Sequence, residues 1–111
     1  GDSELEVRAL RTIAAAGLPA PEQQLAVRLP DGTTVRIDLA FPEDLLAIEL
    51  DGWEYHGQRR AFDRDRARRN QLTLLGWRVL QFTAAMTDRT LVEAVTAGLG
   101  ALRPSAPCAG A

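Results

Sequence analysis

The chain has 111 residues, of which 46% are hydrophobic and 25% charged, and its formal net charge is −2. These values fit one soluble globular domain and exclude a membrane-spanning helix, because no apolar run approaches the roughly 20 residues that a span needs. A single Cys, Cys108, excludes an internal disulfide and a cysteine-based metal site, and we expect a cytoplasmic location. Because the sequence begins at Gly1 without a Met, we also expect a processed chain or a domain cut from a longer protein.

Seven elements are predicted, in the order α-β-β-β-α-β-α. Apolar residues spaced by three and four indicate helices, and alternating apolar residues indicate strands. The predicted spans are a helix at 3–16, strands at 24–29, 34–40 and 45–51, a helix at 58–75, a strand at 77–82 and a helix at 88–102. Short turns at Asp31-Gly32 and Glu43-Asp44 join the first three strands, which predicts an antiparallel meander. One domain would occupy residues 1–103, followed by a disordered tail at 104–111.

Two boundaries and one strand carry further signals. Gly76 follows the second helix and is expected to end it in the left-handed conformation. Thr87 or Asp88 is expected to cap the last helix. The strand at 77–82 has apolar residues on both faces, which predicts a central, buried position in the sheet.

The second and third strands place carboxylates on one face. Alternation predicts a shared apolar face for Val35, Ile37 and Leu39, and a charged face that carries Arg36, Asp38, Glu49 and Asp51. With a two-residue loop at Glu43-Asp44, Asp38 lies opposite Glu49. Like charges in this position destabilise a sheet, so the cluster indicates a bound cation. Oxygen ligands favour Mg²⁺ or Mn²⁺, with Asp38, Glu49 and Asp51 as the metal ligands.

An alternative interpretation is a solvated charged face in which Arg36 pairs with Asp51. Two further residues bear on the choice. His56, the only His, lies five residues after Asp51 and is either an ordinary surface residue or a general acid or base. Glu6 forms a capping box with Ser3, and it either only caps the first helix or also reaches the same site.

A basic stripe follows the carboxylates in a chain that contains no Lys. Its six members are Arg59, Arg60, Arg64, Arg66, Arg68 and Arg69. The stripe is either a solvated helix face or, together with Arg36, a surface that contacts the phosphate backbone of a nucleic acid. Its position beside the carboxylates favours the nucleic acid.

The ordered motifs resemble those of the PD-(D/E)XK nuclease superfamily. They are Asp38-x(10)-Glu49-Leu50-Asp51-Gly52, then His56, then an Arg-rich helix that ends in Gly76-Trp77-Arg78-Val79-Leu80. Within the superfamily they are most similar to the branch with the very-short-patch repair endonucleases and the domain of unknown function 559. The resemblance implies a restriction-endonuclease-like α/β (α+β) core, with a mixed four-stranded sheet flanked by helices.

The resemblance also implies roles for individual residues. The superfamily's metal-binding Asp corresponds to Asp38, the acidic residue of its (D/E)XK element to Glu49, and its helix-one Glu to Glu6. Two positions depart from the pattern, since Ile37 replaces a Pro and Asp51 replaces the Lys.

The predicted function is a Mg²⁺- or Mn²⁺-dependent endonuclease that hydrolyses or nicks DNA, without a small-molecule cofactor or a membrane partner. Its predicted catalytic residues are Asp38, Glu49, Asp51, His56 and Glu6. The absent Lys favours one alternative, a catalytically inactive nuclease-fold module that binds nucleic acid or a protein. The resemblance suggests that such a module forms the C-terminal part of an antitoxin-like protein. A third possibility is an unrelated domain with a solvent-exposed acidic face.

Overall fold

The computed structural model of the protein describes residues 3–51 and 59–101. Its elements are α1 (Ser3–Ala15), β1 (Glu22–Arg28), β2 (Thr34–Phe41), a 3₁₀ turn (Pro42–Asp44), β3 (Leu46–Asp51), α2 (Arg59–Leu74), β4 (Arg78–Thr83) and α3 (Asp88–Ala101). The predicted order of helices and strands is confirmed. The predicted tail at 104–111 lies outside the described residues. None of the described helices is long and apolar enough to cross a membrane.

The four strands form one mixed sheet in the order β1-β2-β3-β4. The first three strands pair antiparallel, as predicted, and β4 pairs parallel to β3. The predicted central position of β4 is wrong, because β4 lies at an edge of this sheet. Its apolar residues contact helices on both sides: Phe82 packs with α1 and α3, and Val79 packs with the cluster around α2. Helices therefore provide the burial that the prediction assigned to neighbouring strands.

Each face of the sheet buries its own apolar cluster. On one face, Ile48 and Leu50 of β3 pack against residues of α1 and α3. On the other face, Ala47 of β3 packs with Leu72 of α2 and with Trp77. This alternation along β3 follows from the two-residue period of a strand. The sheet is thus a middle layer, with α1 and α3 on one side and α2 on the other.

The alternation of β2 is interrupted at Asp38. Ile37 packs in the cluster around α2, whereas Leu39 packs in the cluster of α1 and α3. The predicted common face of Val35, Ile37 and Leu39 is therefore wrong. The cause lies in β1, where Gln24 has a φ of 52° and the residue pairing of β1 with β2 skips the Gln24/Asp38 position. Val35 and Ile37 thus face α2, while Leu39 faces the opposite layer.

The connection between β2 and β3 differs from the predicted two-residue loop. It comprises the 3₁₀ turn Pro42–Asp44 and Leu45, whose φ is 51°. This four-residue loop is centred on the same point as the predicted one, so it leaves the register unchanged. The observed pairs run from Phe41–Leu46 to Leu39–Ile48, so Asp38 and Glu49 lie one position beyond the last pair of the predicted register.

Two predicted helix boundaries are confirmed in detail. Gly76 has a φ of 95°, and its N–H donates to the carbonyl oxygen of Thr73 at 2.9 Å. The next N–H, of Trp77, reaches back to α2, which completes a Schellman motif. At the start of α3, Oγ1 of Thr87 accepts the N–H of Thr90 at 3.1 Å, so Thr87 is the N-cap.

Arg8 connects α1 to the segment between β4 and α3. Its Nε donates to Oδ1 of Asp88 at 2.7 Å, and its two terminal nitrogens donate to the carbonyl oxygens of Ala84 at 3.2 Å and Met86 at 2.5 Å. The guanidinium carbon also lies 4.8 Å from the ring centroid of Phe82. One side chain thus fixes the segment that leads into α3.

We expect Arg8→Met to lower the free energy of unfolding by about 1–3 kcal/mol, because Met keeps the apolar stem but donates no hydrogen bonds. Urea denaturation measures the change. Arg11→Met is the matched control, since Arg11 is exposed on the same helix. An equal effect of the two substitutions would contradict a specific role for Arg8.

Candidate active site

At the interruption of β2, the side chain of Asp38 accepts a hydrogen bond from β3 in place of a backbone carbonyl group. Its Oδ2 accepts the backbone N–H of Leu50 at 2.8 Å, and its Oδ1 accepts Nε2 of Gln24 at 3.4 Å. Counted from the loop, the residue pairing between β2 and β3 ends at Leu39 and Ile48, one position before it reaches Asp38. The carboxylate is therefore fixed against β3 by a charge-assisted hydrogen bond rather than by its own backbone.

Glu6 belongs to the same neighbourhood. The amide of Gln24 that contacts Asp38 also donates to Oε2 of Glu6 at 3.3 Å. Gln24 therefore links a carboxylate of α1 to a carboxylate of β2. This contact places Glu6 near Asp38, and its role at the site stays a prediction. Sequence reasoning gave Gln24 no role, because its left-handed backbone depends on tertiary packing rather than on a local pattern.

Glu49 is buried in β3 and contacts two guanidinium groups of α2. The residue is 8% exposed. Its Oε2 accepts a hydrogen bond from Nη1 of Arg68, and its Oε1 lies 3.4 Å from Nη2 of Arg69. Nη2 of Arg68 also donates to the carbonyl oxygen of Arg36 at 2.6 Å. Both carboxylate oxygens of Glu49 therefore have cationic partners, as a buried charge requires.

A buried donor of Arg69 is unpaired among the described residues. Its Nε is buried and, within the part of the chain that the structure describes, has no hydrogen-bond partner. An unpaired buried N–H is costly and often marks the position of a water or a ligand. A phosphate oxygen is a suitable acceptor for this group.

Asp51 ends β3 and is half-buried. Its Oδ2 accepts Nε2 of Gln81 at 3.1 Å. Burial raises the pKa of Asp51 above its ordinary value, and the negative charges of Glu49 and Asp65 raise it further. Arg69 lowers the pKa of Asp51, but burial and the neighbouring carboxylates outweigh this effect.

The chemistry of these residues fits a divalent cation, although they do not form a three-carboxylate cage. Within residues 3–51 and the described side chains of α2, β4 and α3, no group of three or more His, Cys, Asp or Glu side chains is placed to hold a metal ion. The three predicted ligands Asp38, Glu49 and Asp51 therefore do not converge. Two carboxylates on adjacent strands still suit Mg²⁺, which retains waters and often binds through one or two carboxylates.

The remaining predicted site residues fall into three groups. His56 and the side chains of Arg59 and Arg60 lie outside the described residues. Arg64, Arg66 and Arg36 are exposed, and Nη1 of Arg36 donates to the carbonyl oxygen of Gln24 at 3.4 Å. Arg68 and Arg69 lie inward at Glu49. The basic stripe is therefore divided between a solvent-facing part and a part at the carboxylates.

The inward position of Arg68 and Arg69 was missed, although the sequence carries a signal for it. Leu72, a buried residue of α2, lies four positions after Arg68 and three after Arg69. Residues at these spacings share a helix face, so both arginines lie on the face that packs on the sheet.

We expect Asp51→Asn to raise the melting temperature at pH 7 by about 1–3 °C when EDTA is present, because it removes a charge that is half-buried and lies among other carboxylates. The pKa of folded Asp51 lies above the ordinary value of 3.8, so the folded state binds this proton more tightly than the unfolded state. The wild type therefore loses stability relative to the variant as pH rises from 3.8 through the folded pKa of Asp51. Below 3.8, the melting temperatures of the two proteins converge. Thermal denaturation at several pH values measures this difference.

Asp31→Asn is the matched control with the opposite sign. Thr33 donates to Oδ1 of Asp31 through its N–H at 3.0 Å and its hydroxyl at 2.7 Å. These bonds lower the pKa of Asp31, so its contribution to stability is present above 3.8 and is lost as pH falls through the folded pKa. This variant should melt at a lower temperature than the wild type at pH 7. A shift of the same sign in both variants would contradict these assignments.

A model of the restriction endonuclease-like family REase_MTES_1575 matches residues 8–89. The chain belongs to this family. The predicted resemblance to PD-(D/E)XK nucleases is confirmed at this level, and the match includes Asp38, Glu49, Asp51 and both inward arginines. The closer resemblance to the very-short-patch repair endonucleases stays a prediction.

Two uncharacterized proteins of Mycobacterium tuberculosis are also similar, MT2308 of strain CDC 1551 / Oshkosh and Rv2248 of strain H37Rv. Each is 33% identical to the chain over 79 residues, which cover 71% of this chain and 29% of the relative. The chain therefore spans less than a third of the length of the curated relatives it matches.

Proposed function

We propose that the domain is a divalent-metal-dependent endonuclease that hydrolyses or nicks DNA phosphodiester bonds. One observation supports the proposal: Asp38 accepts the backbone N–H of Leu50, the residue after Glu49 in β3, and Glu49 contacts two guanidinium groups of α2. Membership of a restriction endonuclease-like family supports it.

Asp38 and Glu49 are the proposed ligands of Mg²⁺ or Mn²⁺. A cation bound to them would supply a hydroxide near neutral pH and would stabilise negative charge on the reacting phosphate. Gln24 orients Asp38 and connects it to Glu6, so Glu6 is a positioning residue in this scheme. Asp51 adds negative charge that favours a cation, and its raised pKa makes it a better proton acceptor than an ordinary Asp.

Because the chain contains no Lys, Arg68 and Arg69 provide the positive charge at the site. Their side chains are 27% and 31% exposed, so solvent and ligands can reach them beside the carboxylates. A guanidinium binds phosphate oxygens through two N–H groups, which favours Arg where a phosphate must be oriented. His56 remains the proposed general acid or base.

DNA contact is assigned to the exposed part of the basic stripe and to Arg36. Arg64 and Arg66 are exposed on α2, the helix that also carries the inward arginines. Contacts to phosphates release counterions, so the affinity for DNA should fall steeply with salt concentration.

A second candidate is a catalytically inactive nuclease-fold module that binds DNA. The observations in its favour are the arginines on both oxygens of Glu49 and an Asp where the superfamily has Lys. Titration of the protein with Mn²⁺ in the presence of an uncleavable DNA duplex separates the two functions. An absent binding heat together with retained DNA binding would favour the inactive module.

Cleavage of a supercoiled plasmid tests the proposal. We expect nicked or linear product with Mg²⁺ or Mn²⁺ and none with EDTA. Asp38→Ala, purified in parallel, controls for a contaminating nuclease. Equal cleavage by the wild type and Asp38→Ala, or no cleavage by the wild type in either metal, would contradict the proposed function.

A further inference from the structure

We propose that Arg68 and Arg69 exclude a divalent cation from Glu49 until a DNA phosphate binds these arginines, so that the substrate completes the metal site. This inference rests on the proposed function and adds an order of events to it. It follows from the contacts of Glu49, the exposure of the two arginines and the charge balance of the site.

Glu49 has no free carboxylate oxygen in this structure. Oε2 bonds to Arg68, and Oε1 lies 3.4 Å from Arg69. The carboxylate is also enclosed, with its side chain 11% exposed. A cation that binds Glu49 therefore competes with these two guanidinium groups for the carboxylate.

A phosphate offers the arginines replacement partners. Nε of Arg69 already lacks an acceptor in the described part of the chain, so a phosphate oxygen would satisfy a donor that Glu49 leaves unpaired. Arg68 keeps one bond to the carbonyl oxygen of Arg36, which would hold its side chain at the edge of the site. Moving these guanidiniums from Glu49 to phosphate replaces one charge-assisted contact by another.

The charge balance then links the two binding events. Asp38, Glu49 and Asp51 carry three carboxylates, and Arg68 and Arg69 carry two of the nearby positive charges. Once these two charges pair with phosphate, the carboxylates attract a divalent cation more strongly. By linkage, the cation must also tighten the binding of the phosphate by the same factor.

Mn²⁺ binding, measured by calorimetry and electron paramagnetic resonance, tests this inference. The probe is a 20-base-pair duplex with phosphorothioate linkages, and mixtures of this duplex with the Glu49→Gln protein correct for Mn²⁺ on the DNA itself. For the wild type, we expect the duplex to tighten Mn²⁺ binding by about tenfold or more. The double variant Arg68→Gln/Arg69→Gln should bind Mn²⁺ about tenfold more tightly without DNA and should lose the effect of the duplex.

Arg64→Gln is the matched control, because Arg64 is exposed on the same helix. It should weaken duplex binding but keep the effect of the duplex on Mn²⁺. If the double variant does not fold, Arg69→Gln alone removes the longer of the two contacts and should show a smaller change in the same direction.

Three outcomes would overturn the inference. The first is equal Mn²⁺ affinity for the wild type and Arg69→Gln without DNA. The second is an undiminished effect of the duplex in the arginine variants. In both cases the proposed function stands if plasmid cleavage still requires Asp38. The third, no Mn²⁺ binding by the folded protein with or without the duplex, would overturn both proposals.

Discussion

Asp38→Ala is expected to reduce metal-dependent plasmid cleavage by at least about a thousandfold, because it removes a carboxylate that holds the cation against the reacting phosphate. Single-turnover cleavage rates measure the loss. Ala also removes the acceptor of the Leu50 N–H, so part of the effect could arise from a disturbed β2–β3 pair.

Asp38→Asn separates charge from structure. Its amide oxygen still accepts the Leu50 N–H, but it carries no negative charge for a cation. We expect a melting temperature close to that of the wild type and nearly the same loss of cleavage as in Asp38→Ala. Glu43→Ala is the control, since Glu43 is an exposed carboxylate in the turn between β2 and β3. Asp38→Asn with wild-type cleavage would show that the carboxylate charge is not needed.

The register of β2 against β3 was predictable because it depends on two local features. Alternation identifies the strands, and Glu43-Asp44 marks the centre of their connection. The observed loop is longer than predicted, but it keeps the same centre, and register depends only on that centre.

The interruption of β2 was not predictable in the same way. It requires Gln24 to adopt a left-handed conformation, with a φ of 52°, and Gln has no intrinsic preference for that region. The conformation is fixed by contacts between residues far apart in sequence, including the hydrogen bonds that the side-chain amide of Gln24 donates to Glu6 and Asp38. A pattern read along one strand cannot contain that information.

The arginines of α2 illustrate an intermediate case. In the sequence, the basic stripe as a whole has the pattern of a polar helix face. Its last two members, Arg68 and Arg69, nevertheless lie on the same side of α2 as Leu72. Which of these arginines contacts a carboxylate depends on the packing of α2 over β3. Analysis of the sequence therefore identified both partners, Glu49 and the basic stripe, but did not predict the contact between them.

Arg68→Met is expected to lower the free energy of unfolding by about 2–4 kcal/mol, because it leaves Glu49 buried with only the longer contact to Arg69. For a domain whose total stability is typically about 5–15 kcal/mol, such a loss is readily measured by urea denaturation at low temperature. Arg64→Met is the control on the exposed face of α2 and should change stability by less than about 0.5 kcal/mol.

A double-mutant cycle assigns the loss to the contact itself. In Glu49→Gln the buried charge is absent, so adding Arg68→Met should cost less than it does in the wild type, with a coupling of about 1–3 kcal/mol. Additive effects would mean that Arg68 stabilises the domain through its bond to Arg36 and its apolar stem. A large coupling would show that the DNA-free protein gains stability from a contact that competes with a cation for Glu49. The proposed order, in which phosphate binds the arginines as the cation takes Glu49, offsets this loss with contacts that only the substrate provides.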